Sequence, residues 1–379
     1  MAAWVSTAGW AGAVRRVLGD AWIVTVDGIV GADRARSLGS RPELSASTAA
    51  SWYRHVPTTV KTAIKDARQW RRGRQFSVDP AGPWRDADVA FVWQRHELFH
   101  QAGLQLARAL GVPSVLFVPA TLVWESEQWG TTRPGWRSLV EHYGEVPVLR
   151  GADLVACGTE RVAEEARRLG VESHRILVTP TGADLDLFAG ADGTAVRRRL
   201  GLDGRFVVGW VGSFRPFHTL DMALSAAAQV EGATLLLVGD GPERVPIERS
   251  ARDAGVEIVT TGTVPHADLP AYLGAMDVGL VLAGRGQIFH YSPLKLAEYL
   301  AAGLPVVVPD VAPIVERLAP EVNAVVVPPG DVNGLASALV RLRDDLELRK
   351  RLAANAATAA VQWSWDRQVE RVLAAVERT

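Results

Sequence analysis

Residues 206–218 read FVVGWVGSFRPFH, a run of apolar residues that ends at a glycine and then turns polar. Such a run is typical of a strand buried in a parallel sheet. The small and polar residues after it indicate a turn into the next helix. The same alternation of short apolar runs with helical patterns continues through most of the chain. It predicts repeated βαβ units and an α/β fold.

Both halves of the chain contain such apolar runs. In the first half strands are predicted near Ala3–Ser6, Ala21–Val26, Val89–Trp93, Ser114–Val118, Leu154–Cys157 and Ile176–Thr179. In the second half they are predicted near Phe206–Val211, Thr234–Val238, Ile258–Thr260, Val278–Leu282, Val306–Val308 and Ala324–Val327. Helices are predicted at Pro57–Arg72, Leu98–Leu110, Arg161–Leu169, Leu220–Gln229, Glu243–Ala254, Pro293–Ala302 and Asp331–Arg343. Two sheets in series predict two Rossmann-like domains.

The domain junction is predicted between Pro180 and Gly204, where glycine and aspartate accumulate and no strand pattern continues. An N-terminal domain then spans residues 1–182 and a C-terminal domain spans residues 183–362. The last segment, 363–379, has a helical pattern. It is too late in the chain to be a layer of the second domain, and we expect it to pack back on the first.

The composition is that of a globular enzyme. Of the 379 residues 48% are hydrophobic and 22% are charged, and the net charge of −1 predicts no nucleic-acid partner. Cys157 is the single cysteine, which excludes an intrachain disulfide, and it is predicted to be a buried strand residue. No signal peptide or bilayer-spanning segment is evident, so a cytoplasmic location is expected.

Ligands of open parallel sheets bind beyond the carboxyl ends of the strands. In the second half these ends present a series of glycine-containing loops. The candidate residues in the first three loops are Gly212, Ser213, Arg215, His218, Gly239, Asp240, Thr263 and Val264. Glycines let the backbone approach a ligand, and Arg215 and His218 add positive charge.

A later loop contains the most informative segment, His290-Tyr291-Ser292-Pro293-Leu294-Lys295-Leu296-Ala297-Glu298. Ser292 is predicted to cap a helix that begins at Pro293. The free amides at that helix start would attract an anion, with Lys295 adding a charge. The Glu298 carboxylate, one turn further along, could accept two hydroxyl hydrogen bonds from a ribose. Together they describe a site for a nucleoside diphosphate.

Several motifs resemble those of the retaining GT-B glycosyltransferases of family 4, the glycosyl transferases group 1 class. They occur in order, at the turns that follow strands. They are Gly209–Pro216, Val238–Pro242, Gly262–Val264, Ser292–Tyr299 and Ala302–Val307. The segments Pro180–Asp184 and Trp363–Trp365 resemble the linker of that family and the entry to its final helix. The resemblance implies two Rossmann-like domains that face each other across a cleft, with the donor site in the second.

The resemblance also implies roles for individual residues. Glu298 corresponds to the glutamate that holds the donor ribose, and Arg215 to the basic loop near the diphosphate. Thr263 and Val264 would meet the base through their backbone. Gly9 and Gly12 resemble the glycine-rich first loop that faces the donor phosphate, and Leu294 lies at the donor helix start.

Four positions differ from the family pattern. His290, a donor-site candidate for contact with the sugar, stands where the first glutamate of a pair is expected, and His218 where many members have lysine. Pro293 lacks the backbone N–H that normally helps to bind the donor, so Lys295 is expected to compensate. The usual histidine after the strand Ser114–Val118 is replaced by Pro119.

The first domain offers Arg95, His96 and Glu125 as candidates for the acceptor side. Arg95 and His96 follow the strand Val89–Trp93, and we expect them to face the cleft, with His96 as a catalytic candidate. The segment His96-Glu97-Leu98-Phe99-His100 also satisfies the H-E-x-x-H zinc-protease pattern. Because it follows a strand at once instead of lying within a helix, a zinc site is disfavoured.

The favoured hypothesis is transfer of a sugar from a nucleoside diphosphate sugar to a small-molecule or glycan acceptor. No metal and no further cofactor are expected, and Arg215 and Lys295 would stabilise the leaving phosphate. The alternatives are a nucleotide-sugar epimerase, which consumes no acceptor, and a non-catalytic nucleotide-binding or sugar-binding protein. The arginines between Arg68 and Arg74 around Trp70 predict a solvated helix face, with peripheral membrane contact as the alternative.

Overall fold

The computed structural model describes residues 2–35, 56–289 and 292–378. They form an α/β structure with two separate parallel sheets. The first sheet contains the strands β3 (Val92–Arg95), β4 (Ser114–Val118), β5 (Leu154–Cys157) and β6 (Ile176–Val178), in that order. A short antiparallel hairpin of β1 (Trp22–Thr25) and β2 (Gly28–Gly31) lies outside it.

The second sheet has six strands in the order β12-β11-β10-β7-β8-β9. Their bounds are β7 (Phe206–Val211), β8 (Ala233–Val238), β9 (Ile258–Thr260), β10 (Val278–Leu280), β11 (Val306–Pro309) and β12 (Val325–Val327). The order reverses between β10 and β7. A ligand crevice is expected there, beyond the carboxyl ends of the strands.

Helices cover the faces of both sheets. Those up to the end of the first sheet are α1 (Ala2–Leu18), α2 (Ala32–Ala35), α3 (Thr58–Gln75), α4 (Ala102–Leu110), α5 (Leu122–Gln128), α6 (Arg137–Val140), α7 (Val146–Gly151) and α8 (Glu160–Arg168). Those that follow are α9 (Leu185–Phe188), α10 (Thr194–Leu200), α11 (Leu220–Ala227), α12 (Arg244–Ala254), α13 (Leu269–Gly274), α14 (Leu294–Ala301), α15 (Ala312–Val315), α16 (Val332–Asp344), α17 (Leu346–Ala360) and α18 (Trp365–Val376). Among the described residues, no helix is both long and apolar enough to cross a bilayer.

The alternation of side chains along β8 shows how the second sheet is buried on both faces. Leu236 and Val238 belong to the cluster that also contains Tyr299 of α14. Leu235 and Leu237 point the other way, into the cluster that contains Trp210 of β7. A strand buried on both sides favours apolar residues throughout, and Thr234 is the one polar residue of β8.

The final helix belongs to the layer on one face of the first sheet. Trp365 and Val369 of α18 are buried with Trp10 of α1 and Phe117 of β4. A backbone contact precedes this helix, because Ala183 donates to the carbonyl of Trp363 (2.7 Å). The chain thus crosses from the second sheet back to the first beside the linker, at residues 361–365.

The predicted strand near Ala3–Ser6 is wrong, because these residues lie in α1. Ser6, Trp10 and Ala13 are buried at helical spacing, and α1 packs against α18. Alanines and tryptophans suit a buried helix as well as a strand, and only the neighbouring helix decides between them. The hairpin strand β2 was also not predicted.

Most other elements agree with the sequence prediction to within a few residues. The helix predicted from Leu98 begins only at Ala102, because Phe99 adopts a φ of 66° that no α-helix accommodates. Cys157 is buried in β5, and burial raises the pKa of its thiol to about 12. It is therefore a structural residue, as predicted.

Candidate functional site

Two glycines bring the ends of neighbouring strands together at the crevice. Gly212 follows β7 with a φ of 152°, and Gly239 follows β8 with a φ of 132°. A Cβ atom on Gly239 would overlap the carbonyl oxygen of Gly212. Both positions therefore require glycine, for the backbone angle and for the close approach of the two loops.

Lys295 on α14 lies over the end of β7. Its Nζ atom is 3.8 Å from the centre of the Trp210 ring, a cation–π contact. A Cβ atom on Gly212 would lie 3.1 Å from the same nitrogen. Burial lowers the pKa of Lys295 to about 7, and the Glu298 carboxylate opposes that shift. The Lys295 amine is thus desolvated at the end of β7, and it loses its charge more readily than an exposed lysine.

Arg215 and His218 share this end of the sheet with Lys295. The His218 ring packs edge-on against Trp210 at 5.2 Å between centroids. Burial, and then the charges of Lys295 and Arg215, lower the pKa of His218 to about 3. His218 is therefore neutral at physiological pH, whereas the exposed Arg215 guanidinium carries the charge in this loop. Ser213 is also exposed there.

The start of α14 differs from the prediction by one residue. The helix begins at Leu294, and Pro293 precedes it with extended backbone angles (φ −74°, ψ 115°). Ser292 does not cap the helix, so that expectation is wrong. Its Oγ atom accepts hydrogen bonds from the Thr181 backbone N–H (3.2 Å) and hydroxyl (2.9 Å). Ser292 therefore fastens the helix start to the interdomain linker.

The first turn of α14 still leaves backbone amides available. Leu294 and Lys295 are its first two residues, and amides there have no partner within the helix. The side chain of Leu294 packs against the core cluster of the first domain. The predicted role of Leu294 in binding the sugar donor therefore depends on its backbone amide and not on its side chain.

Glu298 lies inside the protein at the bottom of the crevice, with 3% of the residue exposed. Its Oε1 atom lies 2.8 Å from Nε2 of His266. Within the described part of the chain, no hydrogen bond reaches Oε2. One oxygen is thus fixed by the imidazole while the other can accept a bond from a ligand.

His266 was not identified from the sequence. It follows the loop of Thr263 and Val264, and its ring also packs edge-on against Phe188 at 5.7 Å. Thr263 is exposed, whereas Val264 packs against the core. The sequence separates His266 from Glu298 by 32 residues, and no local pattern joins them.

Asp240 interacts with its own turn. Its carboxylate accepts from the Gly241 amide (2.7 Å) and pairs with Arg244 at 3.3 Å. It is exposed, at the carboxyl end of β8. His290, predicted as a sugar contact, lies outside the described residues.

The assignment of Gly9 and Gly12 to a phosphate-binding loop is wrong. Both residues lie within α1. A Cβ atom on Gly9 would collide with the indole of Trp365 in α18. Gly9 is small because two helices cross there, and not because a phosphate approaches.

His96 does not face the cleft, which corrects its assignment as a catalytic candidate. Its side chain has 0% exposure, and its Nε2 atom lies 3.0 Å from Oε1 of Glu145, which is equally buried. Glu145 also accepts from the amides of Leu122 and Val123 at the start of α5. The pair therefore fixes the position of α5.

The zinc-protease pattern is not supported. Residues 96–100 form a turn before α4, so the two histidines do not share a helix face. Over the described ranges 2–35, 56–289 and 292–378, no three histidine, cysteine or acidic side chains are grouped to hold a metal ion.

Arg95 and Glu125 lie near each other in the first domain. The Glu125 carboxylate acts electrostatically on Arg95, and burial lowers the pKa of that guanidinium. The Arg95 side chain lies over the Phe117 ring and reaches Ser6 Oγ at 3.4 Å. Arg95 therefore stands at the carboxyl end of β3, as its sequence position indicated.

The two halves of the crevice touch at aromatic residues. The rings of Trp129, after α5, and Phe217, in the loop after β7, lie 4.2 Å apart between centroids. This contact joins the first-domain segment positioned by Glu145 to the loop of Arg215 and His218.

Known proteins resemble this chain in sequence. Residues 205–345 match the family described as "Glycosyl transferases group 1". The GDP-mannose-dependent alpha-mannosyltransferase of Mycobacterium tuberculosis is 28% identical over 93% of this chain and 86% of its own. The alpha-D-kanosaminyltransferase of Streptomyces kanamyceticus is 28% identical over 66% of this chain and 67% of its own.

Other curated relatives are matched over a shorter part. The chain spans 65% of the 2-deoxystreptamine glucosyltransferase of S. kanamyceticus. It spans 54% of the D-inositol 3-phosphate glycosyltransferase of Geodermatophilus obscurus, at 32% identity.

Solved structures share the architecture. Anabaena HepE, in complex with UDP, aligns over 84% of both chains with a TM-score of 0.61 at 19% identity. Sucrose-phosphate synthase from Thermosynechococcus elongatus aligns over 78% of this chain and 75% of its own, with a TM-score of 0.61 at 21% identity. The protein therefore has the GT-B fold, and residues 205–345 in its second half match the group 1 glycosyltransferase family.

Proposed function

We propose that the protein transfers a sugar, of the hexose type, from a nucleoside diphosphate sugar to an acceptor hydroxyl. The diphosphate would rest against the amino end of α14, and the ribose would be held by Glu298. Retention of the anomeric configuration is part of the proposal, on the strength of the motifs that resemble retaining enzymes.

One observation carries the proposal. Lys295 and Glu298 stand three residues apart on one helix, and residues at that spacing share a face. Lys295 lies at the end of β7 beside Gly212, and Glu298 keeps one oxygen free beside His266. The lysine and the free amides match the diphosphate of a nucleotide. The carboxylate, which can accept hydrogen bonds, matches the diol of its ribose.

The relatives support the same chemistry. Those named above are transferases of sugars, and one is described as GDP-mannose-dependent. HepE has been solved with UDP and with UDP-glucose. Acceptors named among the relatives are polar rings such as 2-deoxystreptamine.

Catalysis would be mainly electrostatic. As the bond between the anomeric carbon and the phosphate oxygen breaks, negative charge grows on the leaving diphosphate. Arg215, Lys295 and the first amides of α14 are placed to stabilise that charge without a metal ion. Closure of the two domains would exclude water, which otherwise hydrolyses the donor.

A thermal-shift comparison of UDP, GDP, ADP and dTDP tests the binding step, since a ligand of the folded state raises its stability. We expect one of them to stabilise the protein.

Lys295→Ala and Arg215→Ala should each lower turnover about 10²–10³-fold, whereas Lys350→Ala, at an exposed ion pair with Glu347, should not. Indifference to all four nucleotides, or full turnover in both variants, would refute the proposal.

A further inference from the structure

A cavity of about 760 Å³ lies in the first domain, beside β3. Helix α1 and the β1–β2 hairpin form one wall, and β3 and α4 form the other. Its aromatic lining consists of Trp4, Trp10, Trp22, Phe76, Trp84, Phe91 and Trp93. The volume is within the range of small-molecule sites, and aromatic walls are typical of them.

The free edge of β3 faces this cavity. Val92 and His96 donate their amides to Pro113 and Phe117 beside β4. Since the amides of a strand alternate in direction, those of Trp93 and Arg95 point away from β4. In the described part of the chain β3 pairs with no other strand. Hydrogen-bonding backbone groups therefore border a space that is lined mostly by apolar side chains.

Two buried donors in the cavity wall have no acceptor. The indole nitrogens of Trp10 and Trp93 are both buried, and neither makes a hydrogen bond to any residue that the structure describes. The two rings stack 5.5 Å apart. Buried donors without a partner are uncommon in proteins. Because both nitrogens have almost no accessible surface, a ligand in the cavity would contact the faces and edges of these rings and not their N–H groups.

The polar end of the cavity lies at the carboxyl end of β3, where Arg95, Glu97 and His100 line it. Throughout the described ranges no carboxylate lies within ion-pair distance of the Arg95 guanidinium, whose side-chain bond is to Ser6 Oγ at 3.4 Å. The charge of Arg95 is thus available to a ligand oxygen.

The donor helix contacts the side chains of the cavity wall. Leu294, the first residue of α14, packs against the cluster that contains Trp10 and Phe117. One layer of side chains therefore connects the cavity wall with the helix start at which the diphosphate is placed. An acceptor in the cavity could extend a hydroxyl toward the donor.

We infer that this cavity binds the acceptor, and that the acceptor is a flat, apolar ring system that carries a hydroxyl group. The inference rests on the proposed function and specifies its acceptor class. The ring body would lie between the indoles, and the hydroxyl at the Arg95 end. Its oxygen would form the new bond to the anomeric carbon while the diphosphate leaves with the electron pair of the broken bond and the hydroxyl proton is released.

The test uses 7-hydroxy-4-methylcoumarin as the apolar probe and myo-inositol as the polar comparison, with the full chain and isothermal titration calorimetry. Ala3 is exposed on α1 and lines the cavity, so Ala3→Trp should obstruct it without disturbing the core. Trp93→Phe keeps a ring but reduces the area of the aromatic wall. Val361→Trp, at an exposed position outside the cavity lining, is the control.

We expect the coumarin to bind, with its Kd raised at least tenfold by Ala3→Trp and at least threefold by Trp93→Phe. Val361→Trp should leave it unchanged. Binding of myo-inositol without the coumarin, or coumarin binding that neither cavity variant weakens, would overturn the inference.

The nucleotide that stabilises the wild-type protein should bind all three variants within twofold. Loss of nucleotide binding with intact coumarin binding would count against the proposed function and not against the cavity. Intact nucleotide binding without coumarin binding would count against the cavity as the acceptor site and not against the proposed function.

Discussion

The Nε2 atom of His266 lies 2.8 Å from Oε1 of Glu298, at the point where the loop after β9 meets the first turns of α14. The contact orients a buried carboxylate and leaves its second oxygen without a hydrogen bond to any residue that the structure describes. A carboxylate held in one orientation binds a ribose with less loss of side-chain entropy.

His266→Ala should weaken nucleotide binding about tenfold, equivalent to about 1.4 kcal/mol, because Glu298 loses its orienting partner. Binding is measured by calorimetry with the nucleotide that stabilises the wild-type protein. The control is His174→Ala, in which an exposed histidine 3.6 Å from Glu172 is removed. Equal affinities in the wild type and the His266 variant would contradict a positioning role for this imidazole.

Nucleotide binding should take up a proton above neutral pH. Burial lowers the pKa of Lys295 to about 7 in the free protein, and a neighbouring diphosphate favours the charged amine and raises that pKa again. Affinity is then highest below pH 7 and falls as the pH rises above it. Calorimetric enthalpies in two buffers of different ionisation enthalpy give the number of protons. Lys295→Met should abolish the uptake, and uptake that persists in that variant would assign it to another group.

Glu145→Ala should destabilise the protein by about 3 kcal/mol or more, since it leaves His96 and two amides of α5 without their acceptor. The free energy of unfolding is measured by denaturant titration. Glu172→Ala is the exposed control. A double-mutant cycle with His96→Ala should show coupling between the two residues. Unchanged stability in Glu145→Ala would refute a structural role for the pair.

Gly9→Ala should destabilise the protein, although alanine is favoured over glycine by about 1 kcal/mol within a helix. The reason is the collision of the added methyl group with the Trp365 indole. Thermal denaturation gives the sign of the change. In the background of Trp365→Phe, where the ring is smaller, the same substitution should cost less. A stabilising effect of Gly9→Ala in the wild type would contradict the close packing of α1 against Trp365.

The sequence by itself determined the two parallel sheets and most of their elements. Strands such as β7 and β8 are buried on both faces, so that their residues are mostly apolar, and the glycines after them are required by the backbone. These are local constraints, and they leave a local pattern. The same holds for Lys295 and Glu298, which are placed three residues apart on one helix.

Only the tertiary structure decided which residues surround these two. His266 reaches Glu298 across 32 residues, and Gly9 reaches Trp365 across the whole chain. His96 stands at a strand end as expected, yet it turns inward to Glu145. Contacts between distant segments depend on how helices pack and which way side chains turn. Such contacts leave no periodic signal in the sequence, because each contact joins one residue from each of two unrelated segments.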